Sequence, residues 1–253
     1  MGILDGKVAL ITGAGQGVGQ GIALALAKEG ARIAAIGRTE AKLQDTCSQI
    51  ASFGGQAVPI TADVNDADDI QRSIATTVET FGRIDILVNN AYGIALGPLL
   101  SLTDADFEGA MNGSALSTFR YMKACYPYLK ASGEGAILNL STSATRRWDA
   151  ANYGFYAASK RAVEALSRAA ASEWGVDNIR VNTIAPHALS PGLKGWIEAN
   201  PAEAKEFFKT IPLGRVGDCE TDIGSVALFL VSPQSRYVTG VVIPVDGGQA
   251  FFG

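Results

Sequence analysis

Cysteine is scarce in this chain, and the three present, Cys47, Cys125 and Cys219, stand far apart. Their spacing suits neither a metal site nor a redox pair, so they read as reduced thiols and no bound metal is expected. Positive charge is not in excess. A net charge of −4 and a pI near 5.1 give no electrostatic reason to expect nucleic acid or an anionic membrane as a partner. No apolar run is long enough to span a bilayer. The first residues lack the apolar core of a signal peptide, and Gly6 stands where a myristoylation signal needs Ser or Thr. These absences together lead to the expectation of a soluble, cytoplasmic protein. Linkers, repeats and low-complexity segments are also missing, so residues 1–253 read as one domain.

What is present is apolar sequence in short, regularly punctuated runs. Apolar residues make up 47% of the chain, enough for a core covered on both faces, and 29 glycines imply many tight turns. Val8, Ala9, Leu10 and Ile11 form a continuous apolar run suited to a strand buried on both sides. A helix follows, with Val18, Ile22, Ala25 and Leu26 on one face and Gly30 closing it. Strands at 32–36, 56–60 and 85–88 then alternate with helices at 40–53 and after residue 65. Asn65 is the expected cap of the latter, with Asp66, Asp68 and Asp69 in its first turn.

The second half continues the alternation. Thr103 caps one long helix carrying Phe107, Met111, Met122, Cys125 and Leu129. Residues 136–140 and 179–185 read as strands around a helix that contains Tyr156. Residues 186–213 are looser, hold Trp196, Phe207 and Phe208, and read as a mobile lid. A helix at 222–231 and a strand at 241–245 complete the order. Strand–helix alternation of this kind implies an α/β fold, a doubly wound parallel sheet of about seven strands with helices on both faces.

Two stretches carry chemistry. Thr12-Gly-Ala-Gly-Gln-Gly-Val-Gly19 lies at the first strand-to-helix junction, where bare backbone amides and a helix N-terminus can cradle a pyrophosphate. Tyr156 and Lys160 are four apart and therefore share one helix face. A free phenol, with a pKa of about 10, is a poor acid or base at neutral pH. An ammonium beside it favours the phenolate and brings proton transfer within reach.

In these residues the chain resembles the short-chain dehydrogenase/reductase family. The matching stretches are the glycine loop, Asp63-Val64, Asn89-Asn90-Ala91, Asn112, Tyr156-x-x-x-Lys160, Arg180-Val181-Asn182, Pro186 and Asp246-Gly247-Gly248, in the family's order and at its intervals. The resemblance implies a single-domain Rossmann-type fold and an NAD(P)(H)-dependent oxidoreductase that interconverts a secondary alcohol and a ketone. Tyr156 would be the general acid or base, and Lys160 would bind the nicotinamide ribose and depress the Tyr156 pKa. Asn112 would hold a relay water, unless it merely kinks its helix. Gly13, Gly17 and Gly19 would line the phosphates, and Gln16 and Val18 would contact the phosphates and the nicotinamide side through the backbone. Asp63 and Val64 would flank the adenine, Asn90 would lie along the cofactor, and Leu189 would offer its main chain to the carboxamide. The family also suggests a homotetramer, with the Asn112 and Tyr156 helices at one two-fold interface.

Some positions depart from the family pattern or leave a choice. The hydroxyl that orients the substrate is Thr142 by alignment of the strand and Ser143 by counting back from Tyr156; Ser143 is favoured because serine is the usual residue. Tyr92 replaces a usual glycine at the site mouth. His187, the only histidine, follows Pro186 where glycine is usual, and is open to packing or substrate contact. Trp148 and Tyr153 either wall the pocket or pack their loop, and the aromatic content favours an apolar or aromatic carbonyl or alcohol substrate. Gly37 ends the second strand without the carboxylate that would select NAD, and Arg38 follows it, which points to NADP with NAD still usable. Two other functions stay open. Tyr153 and Lys160 also satisfy the wider spacing of enoyl reductases, and a non-catalytic dinucleotide sensor would share the fold.

Overall fold

A computed structural model describes residues 2–147 and 151–251. β1 (Val8–Thr12) sits at the centre of the sheet, and its apolar residues alternate between two layers. Ala9 and Ile11 pack with Ile22, Leu26 and Ile33 on one side. Leu10 packs with Ile36, Ile70, Ile74 and Tyr121 on the other. A run with no polar interruption is therefore required, because both faces are dry. Each fully buried side chain of Leu or Ile size contributes about 1.5–3 kcal/mol relative to exposure.

The remaining strands are β2 (Arg32–Gly37), β3 (Ala57–Thr61), β4 (Ile86–Asn89), β5 (Ala136–Leu140), β6 (Arg180–Pro186) and β7 (Val242–Val245). They form one sheet in the order β3-β2-β1-β4-β5-β6-β7, and every pairing is parallel. The order reverses between β1 and β4, which opens a crevice at the carboxyl ends of the strands. Gly13, Arg38, Asp63, Asn90, Thr142 and His187 all lie within two residues of such an end. Parallel pairing thus brings distant stretches to one edge.

Among the described residues the helices are α1 (Gly17–Lys28), α2 (Glu40–Ser52), α3 (Ala67–Phe81), α4 (Asp104–Met111), α5 (Ser117–Ala131), α6 (Gly154–Trp174), α7 (Pro191–Ala199), α8 (Pro201–Phe208) and α9 (Ser225–Val231). Several depart from the expectations above. Asp66, not Asn65, caps α3: its side chain accepts from the amides of Asp68 and Asp69, while the Asn65 amides donate to Asp63 instead. The long helix after Thr103 is two. Thr103 and Asp106 form a reciprocal capping box, but a π turn over Asn112–Leu116 separates α4 from α5. Gly113 meets Gly93 there so closely that a Cβ would lie 2.7 Å from its backbone. The bulge brings the helix onto the loop after β4. A second π turn, Cys219–Gly224, likewise precedes α9.

The stretch 186–213 holds two helices. Ser190 caps α7 through the Leu193 amide, and both α7 and α8 start on a proline, which is pre-set for a first helical position. No helix of the described residues is long and apolar enough to cross a membrane.

Candidate active site

The glycine loop is held open by a side chain from the neighbouring strand end. Asn90 Nδ2 donates to the carbonyls of Thr12 at 3.0 Å and Gly13 at 3.1 Å. The Thr12 hydroxyl accepts from the amides of Asn90 at 3.0 Å and Ala91 at 3.1 Å. Only glycine fits around this strut. Gly13 has φ +68°, and a Cβ at Gly19 would lie 2.3 Å from the Gly13 oxygen. Gln16 caps α1 in extended conformation without placing its side chain on the first-turn amides. A pyrophosphate cradle needs such a donor set, bare backbone amides at a helix start, so these residues fit a dinucleotide. The Gln16 side chain turns outward and accepts from Lys42 Nζ at 2.5 Å.

On α6, Tyr156 and Lys160 share a face as expected. Lys160 is 2% exposed, and its Nζ donates to the Leu140 carbonyl at 2.8 Å. The ammonium lies 5.4 Å from the Tyr92 ring centre and 6.0 Å from that of Tyr156. Burial pushes its pKa down to about 7. Burial likewise pushes the Tyr156 phenol well above its ordinary value, and the neighbouring Tyr92 and Tyr153 phenols add to the rise. The Tyr92 and Tyr153 ring centroids lie 5.6 Å and 6.4 Å from that of Tyr156. Tyr92 therefore walls the pair directly, where a glycine would leave it open.

The Thr142 side chain acts on the phenol in the opposite sense and pulls its pKa back down. Ser143 begins a 3-10 turn over Ser143–Thr145 and carries no such influence on the phenol. Of the two hydroxyl residues left open by the sequence, Thr142 is thus the one whose side chain acts on the phenol. Asn112 opens the π turn, which packs against α6. Its side chain is exposed and has no hydrogen-bond partner among the described residues.

A family model described as enoyl-(acyl carrier protein) reductase matches residues 13–250. The 12α-hydroxysteroid dehydrogenase of Clostridium sp. is 39% identical over 98% of this chain and 98% of its own length. The chain belongs to the short-chain dehydrogenase/reductase family. Other members of this family of oxidoreductases differ in the reactions their names record. The peroxisomal 2,4-dienoyl-CoA reductase of Arabidopsis thaliana is 38% identical over 97% of this chain and 85% of its own length. A solved 7α-hydroxysteroid dehydrogenase, in complex with NADH and 7-oxo glycochenodeoxycholic acid, superposes with a TM-score of 0.91 at 34% identity, covering 97% and 94% of the two chains.

Other residues implied by the family resemblance vary in how they are placed. Asp63 accepts from both Asn65 amides at 2.9 Å and lies half-buried beside Val64 at the end of β3. Leu189 has already committed its N–H to the Gly217 carbonyl at 2.8 Å, and among the described residues its carbonyl accepts the weak Cys219 thiol at 3.7 Å. His187 packs edge-on against Phe207, centroids 5.3 Å apart, and its Nδ1 is buried without a partner among the described residues. Burial and the nearby Arg147 lower its pKa, against a smaller opposing effect of Asp246. Phe207 also meets Trp196 at 5.6 Å, and the Arg147 guanidinium lies 5.2 Å over its ring. Trp148 lies outside the described residues. Sequence reasoning missed Lys42, which reaches the glycine loop from α2, and Glu164, one helical turn beyond Lys160. The Tyr156, Lys160, Glu164 spacing was the available signal for the second.

Proposed function

We propose that the protein interconverts a secondary alcohol and a ketone on an apolar skeleton, with Tyr156 as general acid or base. The observation that carries this is the desolvated Tyr156 phenol, with the buried Lys160 ammonium 6.0 Å from its ring centre and the Thr142 side chain acting to lower its pKa. A bound nicotinamide dinucleotide supplies or accepts the hydride. Thr142 orients the substrate oxygen, Tyr156 gives or takes its proton, and Lys160 holds positive charge near the phenol. Asn112 holds a relay water at the π turn. Residues 186–213 cover the substrate, with Phe207 and Trp196 on its apolar side. Thr142→Val is expected to lose more kcat than Ser143→Ala; the reverse order returns the role to Ser143. The cytoplasmic location and the homotetramer belong to the same reading. Exposed Leu99, Leu100, Phe107 and Phe119 around α4 and α5 support the assembly, and a monomeric sedimentation profile at micromolar concentration speaks against it.

NADP is the preferred cofactor in this reading, although NAD is usable. β2 ends at Gly37 with no acid to repel a 2′-phosphate, and Arg38 and Thr39 are exposed directly after it. Lys42 brings a second cation to this edge through Gln16. Absorbance at 340 nm with both dinucleotides over ketones, oxo-steroids, keto esters and sugars tests reaction and preference together. Gly37→Asp would place its Cβ 3.3 Å from the Leu43 side chain, so Leu43 must give by a few tenths of an ångström, and it is expected to move the kcat/KM ratio towards NAD. A wild-type preference for NAD refutes the role of Arg38.

A second reading, reduction of a 2-enoyl thioester, is favoured by Tyr153 standing beside Tyr156 and by the dienoyl-CoA reductase relative. Turnover of 2-enoyl-CoA without any ketone turnover would select it. A dinucleotide sensor predicts binding with no turnover at all.

A further inference from the structure

Glu164 is a carboxylic acid buried to 3% exposure that the proposed chemistry does not use. It lies on α6 one turn beyond Lys160, facing the loop that follows β5. Its Oε1 accepts from the Ser141 hydroxyl at 2.5 Å, and its Oε2 accepts from Arg161 at 3.0 Å. The other Arg161 nitrogen donates to the Thr145 carbonyl at 2.9 Å. The Thr145 hydroxyl shares its single proton between the Thr142 carbonyl at 2.8 Å and Glu164 Oε1 at 3.3 Å. These contacts close a ring around Thr142 and Ser143, gripping the chain at the residue before them and at Thr145. Ser141 is itself pinned to β6, its amide donating to the Ile184 carbonyl at 2.8 Å.

A buried acid is costly to keep, and removing one partner leaves the other unpaired. Its position explains what it does. Tyr156 and Glu164 are eight residues apart on one rigid helix, so a loop tied to Glu164 is held at a set distance from the phenol. We infer that Glu164 is a positioning residue, which through Ser141, Arg161 and Thr145 holds the Thr142 hydroxyl in register with Tyr156. This rests on the reading of Tyr156 and Thr142 given above. Misplacing a reacting group by about an ångström can cost on the order of 10²-fold in rate.

The test measures kcat, substrate KM and dinucleotide Kd, on whichever compound of the carbonyl panel the wild type turns over fastest. Glu164→Gln keeps the shape of the side chain but turns an amide towards Arg161. It is expected to lower kcat on the order of tenfold, with dinucleotide Kd within about twofold of wild type. In a Thr142→Val background the same change is expected to cost less than about twofold, because the hydroxyl it positions is gone. Arg161→Met, on the solvent side of the ring, is expected to give a smaller loss with the same dependence on Thr142, and it serves if Glu164→Gln fails to fold. Equal losses in both backgrounds, or unchanged kcat in both variants, overturn the inference and leave the reaction standing. A wild type inactive on the whole panel overturns the reaction and the inference together.

Discussion

Tyr156→Phe is expected to lower kcat by a factor on the order of 10²–10⁴, the usual worth of a placed general acid or base, while dinucleotide affinity stays within about twofold. The substitution removes one oxygen and one transferable proton. The ring stays, with its contacts to Tyr92 and Tyr153. Burial already holds the phenol protonated far above neutral pH in the free protein, which suits an acid that protonates a carbonyl oxygen during reduction. In the oxidative direction the same group would have to accept a proton, as the phenolate that positive charge at Lys160 would favour. Oxidation is therefore expected to be the more pH-sensitive direction. Steady-state rates at saturating dinucleotide check both points, and more than a tenth of wild-type activity in the variant sinks the assignment. Loss of enoyl reduction in Tyr153→Phe but not in Tyr156→Phe would transfer the role to the alternative reading.

Lys160→Met is expected to impair turnover and dinucleotide binding together, and at the same time to stabilise the free protein. Lys160 is buried with a carbonyl and two ring faces around it and no carboxylate contact among the described residues. Its folded pKa is about 7, against about 10.4 in an unfolded chain. Below about pH 7 both states carry the charge, and the folded protein bears the full cost of burying it. Between about pH 7 and 10 the unfolded chain binds the extra proton, so wild-type stability rises with pH across that window. The Met variant lacks this group and its slope. Its advantage in unfolding free energy should be a few kcal/mol at pH 6 and shrink towards pH 10, at about 1.36 kcal/mol per unit of pKa difference. Denaturant titrations of both proteins at pH 6, 8 and 10 measure it. An advantage independent of pH would mean that packing, not charge, sets the difference, and unchanged dinucleotide affinity would remove Lys160 from the ribose.

The parts of this protein legible in its sequence are those whose cause is local. Val8, Ala9, Leu10 and Ile11 announce a strand buried on both faces because no polar residue interrupts them. The glycine loop announces a backbone cradle because the residues that would obstruct it are absent. Tyr156 and Lys160 share a face because helical geometry allows nothing else. Asn65 and Asp66 show the limit of local reading: both are good caps, and Asp63 decides between them by engaging the Asn65 amides from outside the helix. The prolines that start α7 and α8 follow Ser190 and Asn200, a local signal for a helix start. The π turn at Asn112 has no local code, because it exists to let Gly113 meet Gly93 from another part of the chain. The same holds for the site. Glu164 accepts from Ser141 and Thr145, on either side of Thr142 and Ser143, and no count along the chain brings those contacts together. Lys42 reaches Gln16 across 26 residues of chain because parallel pairing sets β2 beside β1. Spacing along one helix or strand is decided by bond geometry and can be counted. Contacts between elements depend on how the whole sheet and its helices pack, and only the tertiary structure contains that.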